Sequence, residues 1–515
     1  MAHNDATLID PKAAALVSGP PAPDSETTVR WHEGQRRGRL LDGLWRYDLR
    51  LALSREFEPR RRRLQGPADV TKNLFRSLIS QIAVLYDRPP LVKHDNAAAV
   101  DAMDAITSSA GLWQLATQLQ QSALGLREAA YRFDVPPGGS PRLLARVVPS
   151  YLMWAVATPA DPDVPVTAHE YRIRKNPEGK QIWTRDVLSI ADPDRPIFRV
   201  ENAEGTEDLT RQFLPGSLSG DAYPYRRNDG TPILPIVLFH ATRTGKMWDP
   251  FRGVELVDGT LTIAGLWTQW RHLVRDASWP QRWAVNCVLD GLEPNRETGD
   301  MAITTDPATL INFSPKVPGQ STAIGQFAPG GDPRELGNAI RDYAADLAAD
   351  FDLSPADIQR THTDPRSGFA IEVSRSGKRS AQRRFEPQFS RGDIQALETI
   401  ATLWNRATGS ELPETGWGIQ YRGLPLGIEE RKMLMEDHRI RAELGVTSKP
   451  RLLAALEGIT EDQARVLLLQ IQADNAIFAS VGEEPPAQNP ANNREPEPAP
   501  SPAPSPDVNP EPAEA

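Results

Sequence analysis

Residues 333–352 read PRELGNAIRDYAADLAADFD, and this stretch decides the fold that the sequence predicts. Its apolar residues recur at spacings of three and four, as in an amphipathic helix, and its opening proline suits a first helical turn. The apolar stripe consists of Leu336, Ile340, Leu347 and Phe351. A second stripe, at intervals of four residues, consists of Asp342, Asp346 and Asp350. The sequence therefore predicts a helix with one face against protein and another face strongly acidic.

The acidic stripe has two interpretations. Like charges four residues apart on a helix repel one another and destabilise an isolated helix by about 0.2–0.5 kcal/mol per pair. One interpretation is an ordinary solvated face. The other is the wall of a channel for a polyanion, because an acidic wall repels DNA and lets it slide, whereas a basic wall would hold it.

The acidic helix follows a longer helix and a β-rich segment. Periodic apolar residues predict a helix from Glu255 to about Asp276, and Pro280 lies beyond its end. At 1.5 Å per residue this helix would span about 33 Å. Residues 288–329 show short strand patterns separated by turn residues. The predicted order is helix, short strands, acidic helix.

A basic helix is predicted after the acidic one, from Gly368 onward. One side of it contains Arg375, Lys378, Arg379 and Arg383. The loop before it, 352–367, contains Arg360, His362 and Arg366. The basic side is expected to contact DNA or an acidic neighbouring subunit.

The remaining chain divides into helical and β-rich parts. Further helices are predicted over residues 31–64, 74–86, 112–126, 368–389, 393–406, 428–444, 450–456 and 460–478. Strands are predicted over residues 131–135, 143–148, 171–174, 182–187, 197–200 and 233–239. The first 25 or so residues lack a pattern, and the residues after Glu483 are mostly Pro, Ala, Glu and Ser, so both ends are predicted to be disordered.

Bulk composition excludes some classes of protein. The chain has 515 residues, which is enough for more than one core, and a net charge of −10, which argues against a histone-like DNA binder. The single cysteine, Cys287, excludes an internal disulfide and a multi-cysteine zinc cluster. No stretch reaches the roughly 18–20 apolar residues of a membrane helix. We expect a protein without a membrane segment that is made inside a cell or assembled into a particle there.

Catalytic motifs are not found. Residues 376–380, SGKRS, lack the upstream glycine of a phosphate-binding loop, and there is no GxSxG or HExxH motif. The Asp-Pro-Asp triplets at Asp161–Asp163 and Asp192–Asp194 are interpreted as turns in preference to cation sites. We therefore expect no catalytic residue, metal or cofactor, and a role in assembly or binding.

Several segments resemble the portal proteins of tailed bacteriophages. Residues 347–358, LAADFDLSPADI, followed by 367–371, SGFAI, are similar to the family's stem helix, tunnel loop and opening of the next helix. Residues 73–82 and 86–90 are similar to its early helix and proline stop. Residues 146–149 resemble a strand-to-proline step of the wing, and 444–449 a late turn. The resemblance covers about residues 30–480 and depends on the order of the segments.

The resemblance implies an α+β, mainly α-helical portal fold, assembled as a ring of twelve subunits. The implied regions are a flexible arm (1–29), a helical then β-rich wing (30–254), a first stem helix (255–286), a small α/β clip (287–332), a second stem helix (333–353), a tunnel loop (354–367), returning wing helices (368–425), crown-like helices (426–482) and a disordered tail (483–515).

The implied function is that of a conduit for genome packaging and ejection at a unique vertex of the capsid, in a virion assembled in the host cytoplasm. The implied partners are the terminase large subunit, a head–tail adaptor, the major capsid or scaffolding protein, and double-stranded DNA in the channel. The residues expected to face the tunnel are Asp342, Asp346, Asp350, Arg360, His362 and Arg366. The alternatives are a minor capsid or adaptor protein without a tunnel, and a Mg²⁺-dependent nuclease.

Overall fold

The structure is a computed structural model that mixes helices and antiparallel strands. It describes residues 22–56, 69–136, 141–213, 223–278, 281–290, 293–294, 301–302, 312–317, 319–327, 331–351, 353, 368–423, 428–457 and 461–481. The chain divides into two compact units, residues 1–437 and residues 438–515. The predicted α+β class is confirmed at this level. The predicted tunnel loop, the tail and residues 1–21 of the predicted arm lie outside the described residues.

Helices form the first part of unit 1. They are α1 (Ser25–Asp42), α2 (Arg46–Glu56), α3 (Leu74–Ile82), α4 (Ala97–Ser109) and α5 (Leu112–Leu126). The Asp24 side chain accepts a hydrogen bond from the Thr27 N–H at 2.6 Å and caps α1. Residues 25–29 are therefore helical, and the prediction that they belong to a flexible arm is wrong.

The single helix predicted over residues 31–64 is also wrong, because α1 ends at Gly43. This glycine has a φ of 79°, a left-handed conformation that terminates a helix and that other residues rarely adopt. The chain then re-enters helix at Arg46 and buries Trp45, Leu49 and Leu53 in the core. The periodicity of apolar residues continues across the break, which is why the pattern alone did not reveal it.

Two antiparallel sheets form the β-rich part. Their strands are β2 (Glu128–Asp134), β3 (Leu144–Pro149), β4 (Met153–Thr158), β5 (Asp161–Lys175), β6 (Gln181–Ser189), β7 (Ile197–Asn202) and β8 (Ile236–His240). The first sheet has the order β3–β2–β8, and the second has the order β4–β5–β6–β7. A short helix, α6 (Thr210–Phe213), follows β7. The small strand β1 (Leu91–Lys93) pairs separately with β15 (Gly418–Gln420).

The first Asp-Pro-Asp triplet does not form the predicted turn, since Asp161–Asp163 opens strand β5. Arginines from distant segments hold its carboxylates: Arg243 lies 2.6 Å from Asp163, and Arg391 lies 2.7 Å from Asp161. The second triplet, Asp192–Asp194, is a turn as predicted. Its Asp192 side chain accepts a hydrogen bond from the Asp194 N–H at 3.1 Å.

One excursion of the chain, residues 254–349, is built as nested antiparallel pairs. Its outer elements are α7 (Val254–Ser278) and α8 (Pro333–Ala349). Beyond them β9 (Gln281–Val285) pairs with β14 (Ala323–Phe327), and β10 (Cys287–Asp290) pairs with β13 (Asn312–Pro315). The innermost pair is β11 (Glu293–Pro294) with β12 (Met301–Ala302). The described residues of the predicted clip form strands and turns, and its α/β character stays a prediction.

Helix α9 (Gly368–Thr408) is continuous, although the sequence predicts two helices, 368–389 and 393–406. Pro387 lies inside it and removes one helical hydrogen bond. Packing compensates for this loss, because Phe385 and Phe389 are buried and Gly392 lies directly against the ring of Phe239. Tertiary contacts thus sustain a helix that the local sequence would interrupt.

The helices at the end of the described chain agree with prediction. They are α10 (Ile428–Glu443), α11 (Lys449–Glu457) and α12 (Glu461–Val481). In unit 2, α11 packs against α12, and Arg451 contacts Glu461 across the turn at 2.8 Å. Their bounds differ by at most three residues from the predicted ones.

Candidate functional site

The acidic helix α8 packs antiparallel against α7. Near the start of α7, Gly259 receives the side chain of Leu347, which comes from the end of α8; a Cβ atom added at Gly259 would lie 2.5 Å from Leu347 Cδ1. Near the other end, the Trp270 Nε1–H donates a hydrogen bond to the Pro333 carbonyl at 2.7 Å. Ile340 is buried, and the other residues of the predicted apolar stripe are half-buried. The prediction for this face of α8 is therefore confirmed.

Helix α7 is held in turn by the first helices of unit 1. The Thr268 hydroxyl accepts a hydrogen bond from the Asp69 N–H at 2.9 Å, and Arg36 lies 2.6 Å from Asp258. Leu256 and Val257 are buried in the main core. The hairpin of α7 and α8 therefore has a fixed orientation on unit 1, and so does the exposed face of α8.

The three predicted aspartates are all exposed. Their carboxylates make no ion pair or hydrogen bond with the part of the chain that the structure describes. The stripe runs toward the C-terminus of α8, where the helix dipole disfavours negative charge. Folding of this chain therefore does not require the aspartates, and their charge is directed outward.

Helical geometry adds Glu335 to the same face. At about 100° per residue, Glu335, Asp342, Asp346 and Asp350 lie within a sector of about 80°. Glu335 is exposed like the others. The sequence analysis missed it, although its separation of seven residues from Asp342 is the spacing of two helical turns.

Asp350 differs from the other members of the acidic face. It lines a cleft of about 420 Å³ together with Arg252 and Arg384 of the same chain. Glu335, Asp342 and Asp346 do not line this cleft. Asp342 and Asp346 are therefore the predicted residues that present their charge away from the chain.

The predicted basic face is only partly described. Lys378 and Arg379 are half-buried, and Arg383 is exposed. The positive charge of Lys378 lies near Asp87 of the same chain. Burial raises the pKa of Asp87, and the charge of Lys378 opposes that rise. The side chain of Arg375 lies outside the described part, and so do Arg360, His362 and Arg366. A DNA or subunit contact by these residues remains a prediction.

A buried carboxyl group that the sequence did not suggest joins α9 to two other segments. Asp393 accepts hydrogen bonds from the Tyr86 hydroxyl, at 2.7 Å, and from the Tyr421 hydroxyl. Burial raises the pKa of Asp393 to about 7, and the two hydroxyls oppose that rise. This cluster fixes α9 relative to the end of α3 and to β15, so its role is structural.

Two searches of the described residues gave negative results. Within them, no three or more His, Cys, Asp or Glu side chains are grouped so that they could hold a metal ion. None of the described helices combines the length and the apolar character needed to cross a membrane.

Comparison with solved structures finds chains of gene transfer agent particles. A chain from the neck of an empty GTA particle computed with C6 symmetry is 12% identical, with a TM-score of 0.39, and the match covers 87% of this chain and 98% of that one. A chain from the virion of a native gene transfer agent particle is 13% identical, with a TM-score of 0.36 and coverages of 87% and 98%.

A third chain, from the neck of a native GTA particle computed with C12 symmetry, is 12% identical, with a TM-score of 0.34 and coverages of 75% and 89%. No protein-family model matches the sequence. No curated protein matches it either.

Proposed function

We propose that this chain is the subunit of a portal ring, which forms the DNA conduit at one vertex of a phage-like capsid. The observation that carries the proposal is the exposed acidic face of α8, on a hairpin whose other face is fixed to the protein. The order of segments that resembles the portal family supports the same function. In this proposal Asp342 and Asp346 face the tunnel.

Electrostatics explains how such a face would work. DNA is held by proteins whose Lys and Arg side chains neutralise phosphates and release counterions. Carboxylates do the opposite, and at physiological salt their repulsion acts over a Debye length of about 8 Å. Repetition of the face around a ring would keep DNA away from the wall on all sides. The chain would thus guide DNA without binding it tightly, and a separate ATPase would supply the work.

The nested strands give the hairpin an extension that suits docking. Among the described residues, strands β9 to β14 pair only with one another, so they form an element distinct from the sheets β3–β2–β8 and β4–β5–β6–β7. In the proposal this element is the clip, which binds the terminase large subunit during packaging and a head–tail adaptor afterwards. The wing would contact the major capsid or scaffolding protein, in a virion assembled in the host cytoplasm.

The function of the acidic face is tested by reversing its charge. In the variant D342K/D346K, rings should form normally, because both side chains are exposed and Lys suits the C-terminal half of a helix. Packaging, measured as DNA protected from nuclease inside particles, should fall about tenfold or more, since basic side chains would grip phosphates.

A matched control is E204K/E207K, which makes the same charge change at exposed residues of a wing turn. It should package like the unmodified protein. Normal packaging by D342K/D346K in intact rings would rule out a lumenal role for the face. Equal loss in both variants would show that net charge, and not this face, matters.

A further inference from the structure

A cleft lies between the two sheets, β3–β2–β8 and β4–β5–β6–β7, and the C-terminal end of α9. Its volume is about 520 Å³, within the range of small-molecule sites. Five arginines line it: Arg132, Arg146, Arg172, Arg174 and Arg406. The carboxylates in its lining belong to Asp134 and Asp186. When Glu170, the partner of Arg146, is also counted, a surplus of two positive charges remains.

The strands place these arginines close together, and nearby carboxylates balance only part of their charge. Arg132 of β2 lies directly opposite Arg146 of β3 in the register of the sheet. Like charges in that position are destabilising. Arg172 and Arg174 are two residues apart on β5, so they share one face of their strand. Such a concentration of positive charge is expected where an anion binds.

Two buried donor groups in the cleft lack partners among the described residues. Arg132 is only 5% exposed, and its Nη2 donates to the Tyr225 hydroxyl at 3.0 Å, but its Nη1 has no hydrogen-bond partner in the part of the chain that the structure describes. Arg174 donates from Nη2 to Asp186 at 3.0 Å, and its Nη1 likewise has no described partner. Arg174 is ion-paired with Asp186, but a buried N–H group without an acceptor costs free energy. The two Nη1 groups therefore indicate an acceptor that the described residues do not supply.

The walls of the cleft indicate the kind of ligand. An arginine fork binds phosphate oxygens in a bidentate manner. One wall is aromatic, with the Phe198 and Tyr225 rings 5.5 Å apart and the Tyr223 and Tyr225 rings 5.6 Å apart. Arg406 stands at the rim, exposed and without an ion pair to any described residue, so it can reach an incoming anion.

We infer that this cleft binds the oligophosphate group of a small molecule, with Arg132 and Arg174 at its base and Arg406 at its rim. The ligand is either a nucleoside polyphosphate, whose base would contact the aromatic wall, or a bare oligophosphate. This site lies within unit 1 and does not depend on a channel. Its test is therefore independent of the test of the proposed function.

Calorimetric titration of the full-length protein tests this site, with ATP, pyrophosphate and adenosine as the probes. ATP and pyrophosphate should bind saturably and adenosine should not. Tighter binding of ATP would identify a nucleoside polyphosphate, and equal affinity a bare oligophosphate. R406A should weaken binding about tenfold or more, because it removes a charge-assisted contact at an exposed position.

R195A is the control, since Arg195 is an exposed arginine of the same β-rich part that does not line the cleft. It should bind like the unmodified protein. The inference is overturned if neither phosphate compound binds, if adenosine binds as well as ATP, or if R406A and R195A bind equally. After circular dichroism has shown that the variant R132K is folded, the same calorimetric titration of this variant tests the base of the cleft.

Discussion

At the residue scale, the unusual groups are carboxyls that the periodicity of the sequence does not reveal. Asp393 follows Gly392 in a helix whose apolar pattern explains its neighbours, and nothing local marks it as buried. It becomes visible only when Tyr86 and Tyr421, from segments 307 and 28 residues away, converge on it. The acidic stripe is the opposite case, because the spacing of Asp342 and Asp346 in the sequence is enough to predict that they share one face of a helix.

The raised pKa of Asp393 makes a prediction about pH. The folded-state pKa of about 7 exceeds the ordinary value of 3.8, so the folded protein keeps a proton that the unfolded chain releases. The contribution of Asp393 to the free energy of unfolding should therefore be full below about pH 4, decrease as pH rises from 4 to 7, and be lost above 7. This contribution is on the order of 4 kcal/mol.

D393N removes this titration and retains a group that can accept a hydrogen bond from a tyrosine hydroxyl. Chemical denaturation of both proteins at a series of pH values should give a flatter dependence for D393N between pH 4 and 7. Glu128 is also buried with a pKa of about 7, and its contribution cancels when the two proteins are compared. Parallel curves would show that Asp393 is not the titrating group.

At the element scale, helix type and order were predictable, and so were the ends of α5 and, within three residues, the ends of α10 to α12. The periodicity located α3, α5, α7 and α8 because each buries one stripe against the core. The break at Gly43 comes from the local left-handed conformation of that glycine, whereas the continuity through Pro387 depends on contacts with distant segments. Helix α4 was missed because its sequence, AAAVDAMDAITSS, has few large apolar residues to mark a stripe.

The close contact beneath α9 gives a test of the tertiary packing that sustains this helix. In G392A the new Cβ would lie 2.5–2.8 Å from three ring atoms of Phe239. Alanine favours a helix by about 1 kcal/mol relative to glycine, but overpacking costs about 1–3 kcal/mol. Thermal unfolding should therefore show a net loss of stability.

G423A is the matched control, because a Cβ there meets no atom within 4 Å. It should leave the midpoint of thermal unfolding within about one degree of the unmodified protein, as surface changes usually do. If G392A were as stable as G423A, the ring of Phe239 would have room to move, and packing at this point would not explain the continuous helix.

At the scale of the whole molecule, the composition gave the net charge, and the structure shows where part of that charge lies. The net charge of −10 argued against a protein that grips DNA, and the hairpin shows where part of that charge is displayed. The sequence could not show which carboxylates project outward, because Asp350 and Asp346 look alike in a periodic pattern. Only the fold separates them, by placing Asp350 beside basic residues of its own chain.

The arginine cleft was not predictable from the sequence for a similar reason. Its arginines come from β2, β3, β5 and the end of α9, and they are up to 274 residues apart. Alternation along a strand puts Arg172 and Arg174 on one face, but only the pairing of sheets brings Arg132 and Arg406 to the same place. The register of strands and the path of the long helix carry that information.

The central claim is that copies of this chain form a ring whose channel is lined by the acidic face of α8. Cryo-electron microscopy of the purified full-length protein tests it most directly. The account predicts closed rings with a central channel, in which Asp342 and Asp346 face the opening. A protein that is monomeric at every concentration, or a ring that turns these residues away from its channel, would contradict it.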